Sequence, residues 1–562
     1  MNAGARQRRR RSYVVPAAVG IVAGIVVLAV VYVAVPQILS SHFSPPPSYS
    51  VANGTLGPAS TSRVDLGRFL GLDFRADESI SPAVQNGINT TGVRLLRFPG
   101  GNLGERYDPL GADGQGLIFS DAGNSTVAQT SLADFAHYCK SVSCHAIITL
   151  PAEIDNASMA AAIVSYSVTA LGFQPEYWEI GNEPADWIHW GYIWTQWNLS
   201  QNVSPSPQQF ALEVQHYVSA IRSVDPGASI LGLGGEGAGS VAEAAWISAV
   251  VAVNGPNLSG LAIHVYPDHS APITQNLTAW FETLQTAYNS LPTRVPADVG
   301  AIRSACPACN LSLIADEYGT APPPTQPTLS GGFRETYTAA ELIQGFGQPI
   351  GGMYYWGLQN AAYDAWVGTN GSEHPPLYLY QALYSYFGPF AGPSPVASTA
   401  GNLYAAVGGP NATAVTSLLF ANANTTYGVR VNISETFPTT AGLTVWVYNG
   451  TANVPSTASV GGKAVVDWII PPASVAIFRT TGLGVSVAIQ PTKGITPQSG
   501  PSLLHWTPPG HASSGAVAPV ARRDGSSHTF SNLPAMVPAS LSYHWAGPFP
   551  LPKESSSDRV LR

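Results

Sequence analysis

Two segments of the chain carry glutamates in settings that suit acid–base chemistry. Glu183 lies in the run Trp-Glu-Ile-Gly-Asn-Glu-Pro (178–184), and Glu317 ends the run Leu-Ile-Ala-Asp-Glu (313–317). Each run begins as an apolar stretch of strand length, so each glutamate is expected where a buried strand ends. Paired carboxyl groups across a cleft are what glycosidic bond cleavage requires. One donates a proton to the leaving oxygen, and the other attacks the anomeric carbon or activates water.

The elements that must position these glutamates follow from a regular pattern between residues 64 and 385. Short apolar runs alternate there with segments of helical periodicity, which is typical of a parallel sheet covered on both faces. Eight such units favour a (β/α)8 (TIM) barrel over an open doubly wound sheet, and catalytic groups of such barrels lie at the carboxyl ends of the strands. The predicted strands are Leu66–Phe74, Val93–Pro99, His145–Leu150, Glu176–Gly181, Ser229–Leu233, Leu261–Tyr266, Leu311–Asp316 and Gly352–Trp356, and the clearest helices are Leu132–Lys140, Pro207–Val224 and Phe333–Gly345.

With Asn-Glu-Pro (182–184) at the end of the fourth strand and Glu317 at the seventh, the chain resembles the large clan of retaining (β/α)8 glycoside hydrolases. The resemblance covers roughly residues 64–480. It implies that Glu183 is the acid/base and Glu317 the nucleophile. The first must then hold a proton near neutrality, while the second must stay ionised.

Within this clan the sequence is most similar to the heparanase and β-glucuronidase family. Leu-Arg-Phe-Pro-Gly-Gly-Asn (96–102), His-Val-Tyr (264–266) and the closing Pro-Pro-Ala-Ser-Val (471–475) support this match. The α-L-arabinofuranosidases share the Pro-Gly-Gly-Asn and Gly-Asn-Glu motifs, but they usually carry tryptophan after the nucleophile, where this chain has Tyr318. They remain an alternative, as does an idle surface glycoprotein that only binds polysaccharide.

The resemblance also implies a set of substrate-binding side chains around the two glutamates. Asn182 is expected to bond the 2-hydroxyl of the sugar, Tyr266 to hold the nucleophile, and Trp356 to form an aromatic floor. An oligo- or polysaccharide is the expected substrate, and two carboxylates suffice for hydrolysis, so we expect no cofactor and no metal. The expected binding residues are Asn182, Tyr266, His264, Asn102, Arg97 and Trp356.

Strand alternation predicts where two neighbouring acids point. Glu179 shares a face with Glu183 and is expected inside the barrel, whereas Asp316 points the opposite way from Glu317 and is expected on the helix side or against a loop. Trp187, Trp190, Trp194 and Trp197 recur at helical spacing, which indicates either a core-facing stripe or a wall on which sugars stack.

The four cysteines form two close pairs, Cys139/Cys144 and Cys306/Cys309. Local structural disulfides are the first expectation for an exported chain. The Cys-Pro-Ala-Cys spacing of the second pair also fits a thiol-redox motif or half of a zinc site. Neither a thioredoxin-like unit nor a histidine pair at finger spacing accompanies it.

The N-terminal region carries the pattern of a single membrane anchor. Five arginines lie within residues 1–12, and residues 13–35 contain no charge. This length can cross a bilayer, and flanking arginines stay on the cytoplasmic side. We therefore expect a single-pass protein of the cell membrane with its catalytic domain outside, or a secreted one if the segment is a cleaved signal.

The other boundaries follow from composition. Residues 36–63 are a Pro/Ser-rich stalk that leads into the first strand region, and the barrel occupies 64–385. Short alternating strands at 386–481 predict an antiparallel β-sandwich. Residues 482–562 are rich in Pro, Ser and Gly, which is typical of a disordered tail.

Composition supports export and excludes one class of partner. Only 10% of the 562 residues are charged, and the net charge of −8 argues against nucleic-acid binding, which needs a basic face. Acceptor triplets for N-glycosylation are dense and all follow the anchor. They begin at Asn53, Asn89, Asn124, Asn156, Asn198, Asn202, Asn257, Asn276, Asn310, Asn370, Asn411, Asn424, Asn432 and Asn449.

Deletion of residues 1–49 is expected to release the protein from membranes, because it removes the apolar span and its arginines. Alkaline carbonate extraction should leave the full chain in the membrane pellet and the truncated chain in the supernatant. Recovery of the intact full chain in the supernatant would contradict the anchor.

Overall fold

The computed structural model describes residues 50–56, 63–120, 124–187, 204–235, 243–266, 277–319, 332–358, 366–367, 373–394, 396–398, 402–424, 427–449, 456–480 and 486–488. The predicted basic segment, the predicted anchor at 13–35, most of the predicted stalk and nearly all of the predicted tail lie outside them. Among the described residues, no helix has both the length and the apolar character needed to cross a bilayer. Also outside are Trp190, Trp194, Trp197, Asn198, Asn202, Asn276 and Asn370.

Eight parallel strands close into a barrel in sequence order, which confirms the predicted (β/α)8 fold. We number these barrel strands one to eight along the chain. The seventh runs two residues beyond its predicted end, so Glu317 lies within the strand. Barrel strands one to eight are Leu70–Asp73, Leu95–Phe98, His145–Leu150, Tyr177–Ile180, Ile230–Gly234, Gly260–Val265, Ser312–Tyr318 and Met353–Tyr355.

Each barrel strand is followed by a helix on the outside of the barrel. Two of them begin with capping boxes, in which Ser131 pairs with Asp134 and Ser206 with Gln209, so backbone N–H groups at each helix start are satisfied. The helices are Pro82–Thr91, Leu132–Val142, Ala157–Ser165, Pro207–Val224, Glu243–Asn254, Leu277–Ala305, Phe333–Gly345 and Pro375–Ala382, and a short additional helix, Asn102–Arg106, follows strand two.

The C-terminal region forms a ten-stranded sheet that is mainly antiparallel and packs against helix Phe333–Gly345. Two N-terminal segments also join it. Ser50–Leu56, part of the predicted stalk region, pairs with the long strand Tyr427–Tyr448, and Val64–Asp65, at the predicted start of the barrel, pairs with Phe390–Ser394. The remaining strands are Val396–Ser398, Leu403–Gly409, Ser417–Asn422, Ser456–Ile470, Ser474–Thr480 and Ser486–Ala488.

The sequence predicts two strands, Gly428–Ile433 and Leu443–Tyr448, where the structure has the single strand Tyr427–Tyr448. The residues between them lack an alternating apolar pattern and contain Pro438, which cannot donate to a ladder. The pairing with Ser456–Ile470 shifts register between Phe437 and Ala441. The segment between residues 434 and 442 looks like a turn from its sequence alone, but pairing with Ser456–Ile470 continues on both sides of it.

Both cysteine pairs are disulfide-bonded, Cys139 to Cys144 and Cys306 to Cys309, which confirms the structural interpretation. None of the acceptor asparagines whose side chains the structure describes is buried, as glycan attachment requires. Asn89, Asn124, Asn257, Asn310, Asn411 and Asn449 are exposed, and Asn156 and Asn424 are partly so.

Phe135 connects the barrel to its outer helices. Its ring stacks on Phe98 of strand two at 4.5 Å and meets Phe173 edge-on at 6.2 Å, and it is fully buried. Phe135→Ala is expected to lower the free energy of unfolding by about 3–5 kcal/mol, since the cavity cannot fully collapse. Urea denaturation measures this loss. Tyr384→Ala, at a side chain 63% exposed, is the control and should change it by less than about 0.5 kcal/mol. Equal losses would contradict the packing role.

Candidate active site

The carboxyl ends of barrel strands four, six and seven bring two glutamates and a histidine together. One oxygen of Glu183, one oxygen of Glu317 and a ring nitrogen of His264 all lie within 4.8 Å of one another. Carboxyl groups about 5–5.5 Å apart suit double displacement, whereas inverting enzymes need about 6.5–9.5 Å to admit a water. The spacing therefore fits a direct attack by one glutamate.

Glu317 is held as a nucleophile would have to be. Nη1 of Arg97 donates to its Oε1 at 2.6 Å, and the Tyr266 hydroxyl donates to its Oε2 at 3.0 Å. Burial and the adjacent charge of Glu317 raise the pKa of Tyr266 well above its usual range, so the phenol keeps its proton and stays a donor. Both oxygens of Glu317 are thus fixed by hydrogen-bond donors that suit a carboxylate.

Arg97, on strand two, is fully buried and connects the strands that build the site. Its Nε and Nη2 bind the two oxygens of Glu179 at 2.7 and 3.1 Å, and Nη2 also donates to Oδ1 of Asn182 at 2.7 Å. Burial alone would lower the pKa of Arg97, but the surrounding carboxyl groups raise it, so the guanidinium stays charged. Glu179 faces the barrel interior, and although burial opposes it, Arg97 lowers its pKa.

Two further buried aspartates complete the surroundings of Arg97. Asp73, which ends strand one, lies 3.2 Å from Nη1, and Asp316 lies 3.1 Å from Nε. Burial raises the pKa of both well above the usual range despite the charge of Arg97. Burial thus favours the protonated form of both aspartates, and the charge of Arg97 opposes it.

The expectation that Asp316 points to the helix side is wrong. Its carboxyl group is fully buried inside the barrel, close to Arg97 and 3.5 Å from Nε2 of His264. The reason is a register shift: Ile263 pairs with Ala315 and the next residue, His264, pairs with Glu317, so Asp316 is an extra residue in strand seven. A bulge of this kind re-aims a side chain and breaks the alternation on which the expectation rested.

Glu183 sits in a strained turn beside His264. Its backbone is left-handed at φ 47°, which is costly for a residue with a side chain, and its N–H donates to the carbonyl oxygen of Gly234 at 2.9 Å. Nδ1 of His264 lies 2.8 Å from its Oε1. Burial would lower the pKa of His264, but Glu317 and Glu183 raise it and so favour the imidazolium, a donor to Glu183.

The remaining predicted residues lie around this centre. Trp356 follows strand eight and packs against Gly101, where an added Cβ would lie 1.8 Å from the indole, and the Arg75 guanidinium lies over its ring at 5.8 Å. Asn102 begins the short helix after strand two, and its side chain is exposed rather than part of the buried cluster. Trp187 is buried at the end of a one-turn segment, not on a helix.

Sequence reasoning missed two acids of this region, Asp73 and Glu105. Neither belongs to a motif that points to chemistry, although Asp73 could have been found as the polar end of strand one. The atoms of Glu183, His264 and Glu317 that converge within 4.8 Å are also of types that could ligate a divalent ion.

No family model matches the chain, and no curated protein matches it. Solved structures match its fold. A family 51 α-L-arabinofuranosidase from Bifidobacterium longum is 14% identical, with a TM-score of 0.56, 77% of this chain covered and 99% of that one. An arabinofuranosidase from Xanthomonas axonopodis pv. citri is 17% identical, with a TM-score of 0.57, and the match covers 77% of this chain and 100% of that one. A bifunctional glucanase-xylanase from a metagenome library is 14% identical, with a TM-score of 0.53, and the match covers 76% of this chain and 99% of that one. The likeness establishes a shared fold.

Asp155, just after strand three, gives a pH dependence that can be measured. Burial raises its pKa from 3.8 to about 8, so between these values the folded protein holds a proton that the unfolded chain releases. The free energy of unfolding therefore falls as pH rises through this window, by at most about 1.4 kcal/mol per pH unit from this group. Asp155→Asn removes the titration, and its urea stability relative to the parent should rise from pH 4.5 to 8.

The control for this experiment is Asp113→Asn, at an exposed aspartate. It measures what an aspartate-to-asparagine change at an exposed position does to stability over the same pH range. A stability difference for Asp155→Asn that does not change between pH 4.5 and 8 would contradict a buried neutral Asp155.

Proposed function

We propose that this protein is a retaining glycoside hydrolase with Glu317 as nucleophile and Glu183 as acid/base. The observation that carries the proposal is the approach of the two carboxyl groups within 4.8 Å at the carboxyl ends of strands four and seven. The environments of the two glutamates differ. Glu317 is bound by two donors, while Glu183 borders His264 and keeps 13% of its side chain exposed.

In the first step an oxygen of Glu317 forms a bond to the anomeric carbon as the glycosidic bond breaks. Glu183 gives its proton to the departing oxygen, so the leaving group departs as a neutral alcohol. Positive charge develops on the sugar ring at the transition state. The anionic cluster of Glu317 and Glu179, fixed in advance by Arg97, stabilises that charge without reorganisation.

In the second step Glu183, now a carboxylate, takes a proton from water, and the water oxygen attacks the anomeric carbon. The bond to Glu317 breaks, and the sugar leaves with its original anomeric configuration. His264 at 2.8 Å stabilises Glu183 in this anionic state, because its raised pKa favours a charged donor. The proton that Glu183 takes from water replaces the one it gave to the leaving group, so Glu183 ends the cycle protonated.

Two sugar classes are consistent with this chemistry. The resemblance to heparanase and β-glucuronidase motifs favours β-glycosidic substrates, with glucuronides among them. Arg75 lies beside Trp356 and binds both oxygens of Asp77, so it is a cation that a sugar carboxylate could bind by replacing Asp77. The arabinofuranosidases among the fold neighbours favour the alternative, an α-L-arabinofuranoside.

We also propose that the enzyme acts outside the cell, held by the segment at 13–35. The apolar length, the flanking arginines and the acceptor triplets that all follow this segment support this location. The substrate would then be an external oligo- or polysaccharide.

The test is a panel of 4-nitrophenyl glycosides with the full chain: β-D-glucuronide, β-D-glucoside, β-D-xyloside and α-L-arabinofuranoside. Glu317→Gln should lose at least about 1,000-fold in kcat, because an amide cannot act as the nucleophile. The folded state should persist with reduced stability, because the amide keeps the volume and Glu179 still binds Arg97, and thermal unfolding checks this. Proton NMR of the first-formed sugar should show retention.

Each outcome decides a separate claim. Release of glucuronic acid alone supports the uronide, and release of arabinose keeps the mechanism while replacing the sugar. Full activity in Glu317→Gln, or inversion at the anomeric carbon, contradicts the assignment. If polysaccharide binds but neither aryl glycosides nor polymers are cleaved, the protein is the idle binder.

A further inference from the structure

A buried contact joins the loop after strand two to the turn that carries Glu183. Glu105 lies on the short helix Asn102–Arg106 and is 3% exposed. Its Oε1 accepts a hydrogen bond from the indole Nε1 of Trp187. The same N–H donates to the backbone carbonyl oxygen of Asn182, at 2.6 Å. One indole group therefore bridges a side chain on one loop and the peptide immediately before the acid/base on another.

The indole is fixed on its other sides as well. The indole ring meets the Phe210 ring edge-on at 5.5 Å. The backbone carbonyl oxygen of Trp187 accepts a hydrogen bond from the Ser204 hydroxyl at 2.6 Å. The indole also lies over Gly181, where a Cβ would come within 2.8 Å of the ring and the backbone has φ +70°. Only glycine allows this approach. Trp187 thus covers the turn from Gly181 to Glu183.

This turn needs external support. Glu183 has φ 47°, a conformation that costs free energy for any residue with a side chain and persists only where the surroundings determine it. The peptide between Asn182 and Glu183 sets the direction of the Glu183 side chain. Its carbonyl is the group that Trp187 binds.

We propose that Glu105 is a positioning residue for the acid/base: it orients the indole of Trp187, which holds the Asn182–Glu183 turn in its strained conformation. The proposal rests on the proposed glycosidase function and names the part of that site that keeps the proton donor in place. Burial and the charge of Glu153 raise the pKa of Glu105 well above its usual range. Glutamine keeps the shape of the side chain and its acceptor oxygen, so it should replace Glu105.

The test compares leaving groups. A dinitrophenolate departs without a proton, whereas a methoxyphenolate needs one, so a misplaced acid/base affects the second substrate and spares the first. For Glu105→Leu, kcat/KM on the 4-methoxyphenyl glycoside should fall about 10–100-fold and on the 2,4-dinitrophenyl glycoside less than about threefold. Trp187→Phe, which keeps an aromatic side chain but loses the N–H, should show the same pattern. Glu105→Gln should restore values near the parent.

The matched control is Glu341→Gln, at another fully buried glutamate whose pKa is raised by burial, on helix Phe333–Gly345 away from the two loops. It should leave both substrates unaffected. Equal losses on both substrates in Glu105→Leu would show a general structural defect and overturn the proposal. So would a Glu105→Gln variant as poor as Glu105→Leu, since charge rather than a hydrogen bond would then matter.

A crystal structure of Glu105→Leu keeps this proposal separate from the proposed function. Displacement of the Trp187 indole and of the Asn182–Glu183 turn is expected, and an unmoved turn overturns the proposal whatever the kinetics. If the parent protein cleaves no glycoside, the proposed function fails, and the position of the turn alone decides the role of Glu105.

Discussion

The site depends on a single buried cation. Arg97 has no exposure to solvent and lies within ion-pair distance of Asp73, Glu179, Asp316 and Glu317. Removing a guanidinium from water costs several kcal/mol, which is recovered only when each donor has a well-placed acceptor. Because those acceptors come from strands one, four and seven, the charge can be buried only when the barrel has closed in the observed register. The same contacts of Arg97 thus stabilise the barrel and fix the positions of Glu179 and Glu317.

The unequal protonation of the acids follows from this arrangement. Burial favours the neutral form of every carboxyl group, and one guanidinium cannot offset all of them. Asp73 and Asp316 have raised pKa values, while Glu179, bound at both oxygens, has a lowered one. Arg97 and the imidazolium that the raised pKa of His264 favours place positive charge beside Glu179 and Glu317. The buried acids of one site therefore differ in how strongly they hold a proton.

Much of this architecture could be predicted from local pattern. Apolar runs and capping residues mark strands and helices because burial and backbone satisfaction act over a few residues, and all eight barrel strands lie where those runs occur. The residues around Glu183 and Glu317 indicate a site because burying a carboxylate at the end of a strand is costly, and such a residue is kept only for pairing or for chemistry. The strand pairings that join Ser50–Leu56 and Val64–Asp65 to the C-terminal sheet are different, since they depend on partners more than 300 residues away.

The sequence by itself thus determined the order of the elements, the disulfide pairs and the identity of the two central glutamates. Tertiary structure decided the distances between them, the bulge that turns Asp316 inward, the direction in which each buried acid's pKa shifts, and the contact of Glu105 with Trp187. Each of these depends on which groups from distant segments share a low-dielectric interior. A local pattern shows whether a residue prefers to be buried. The partners that offset the free-energy cost of a buried charge or a strained turn come together only in the folded chain.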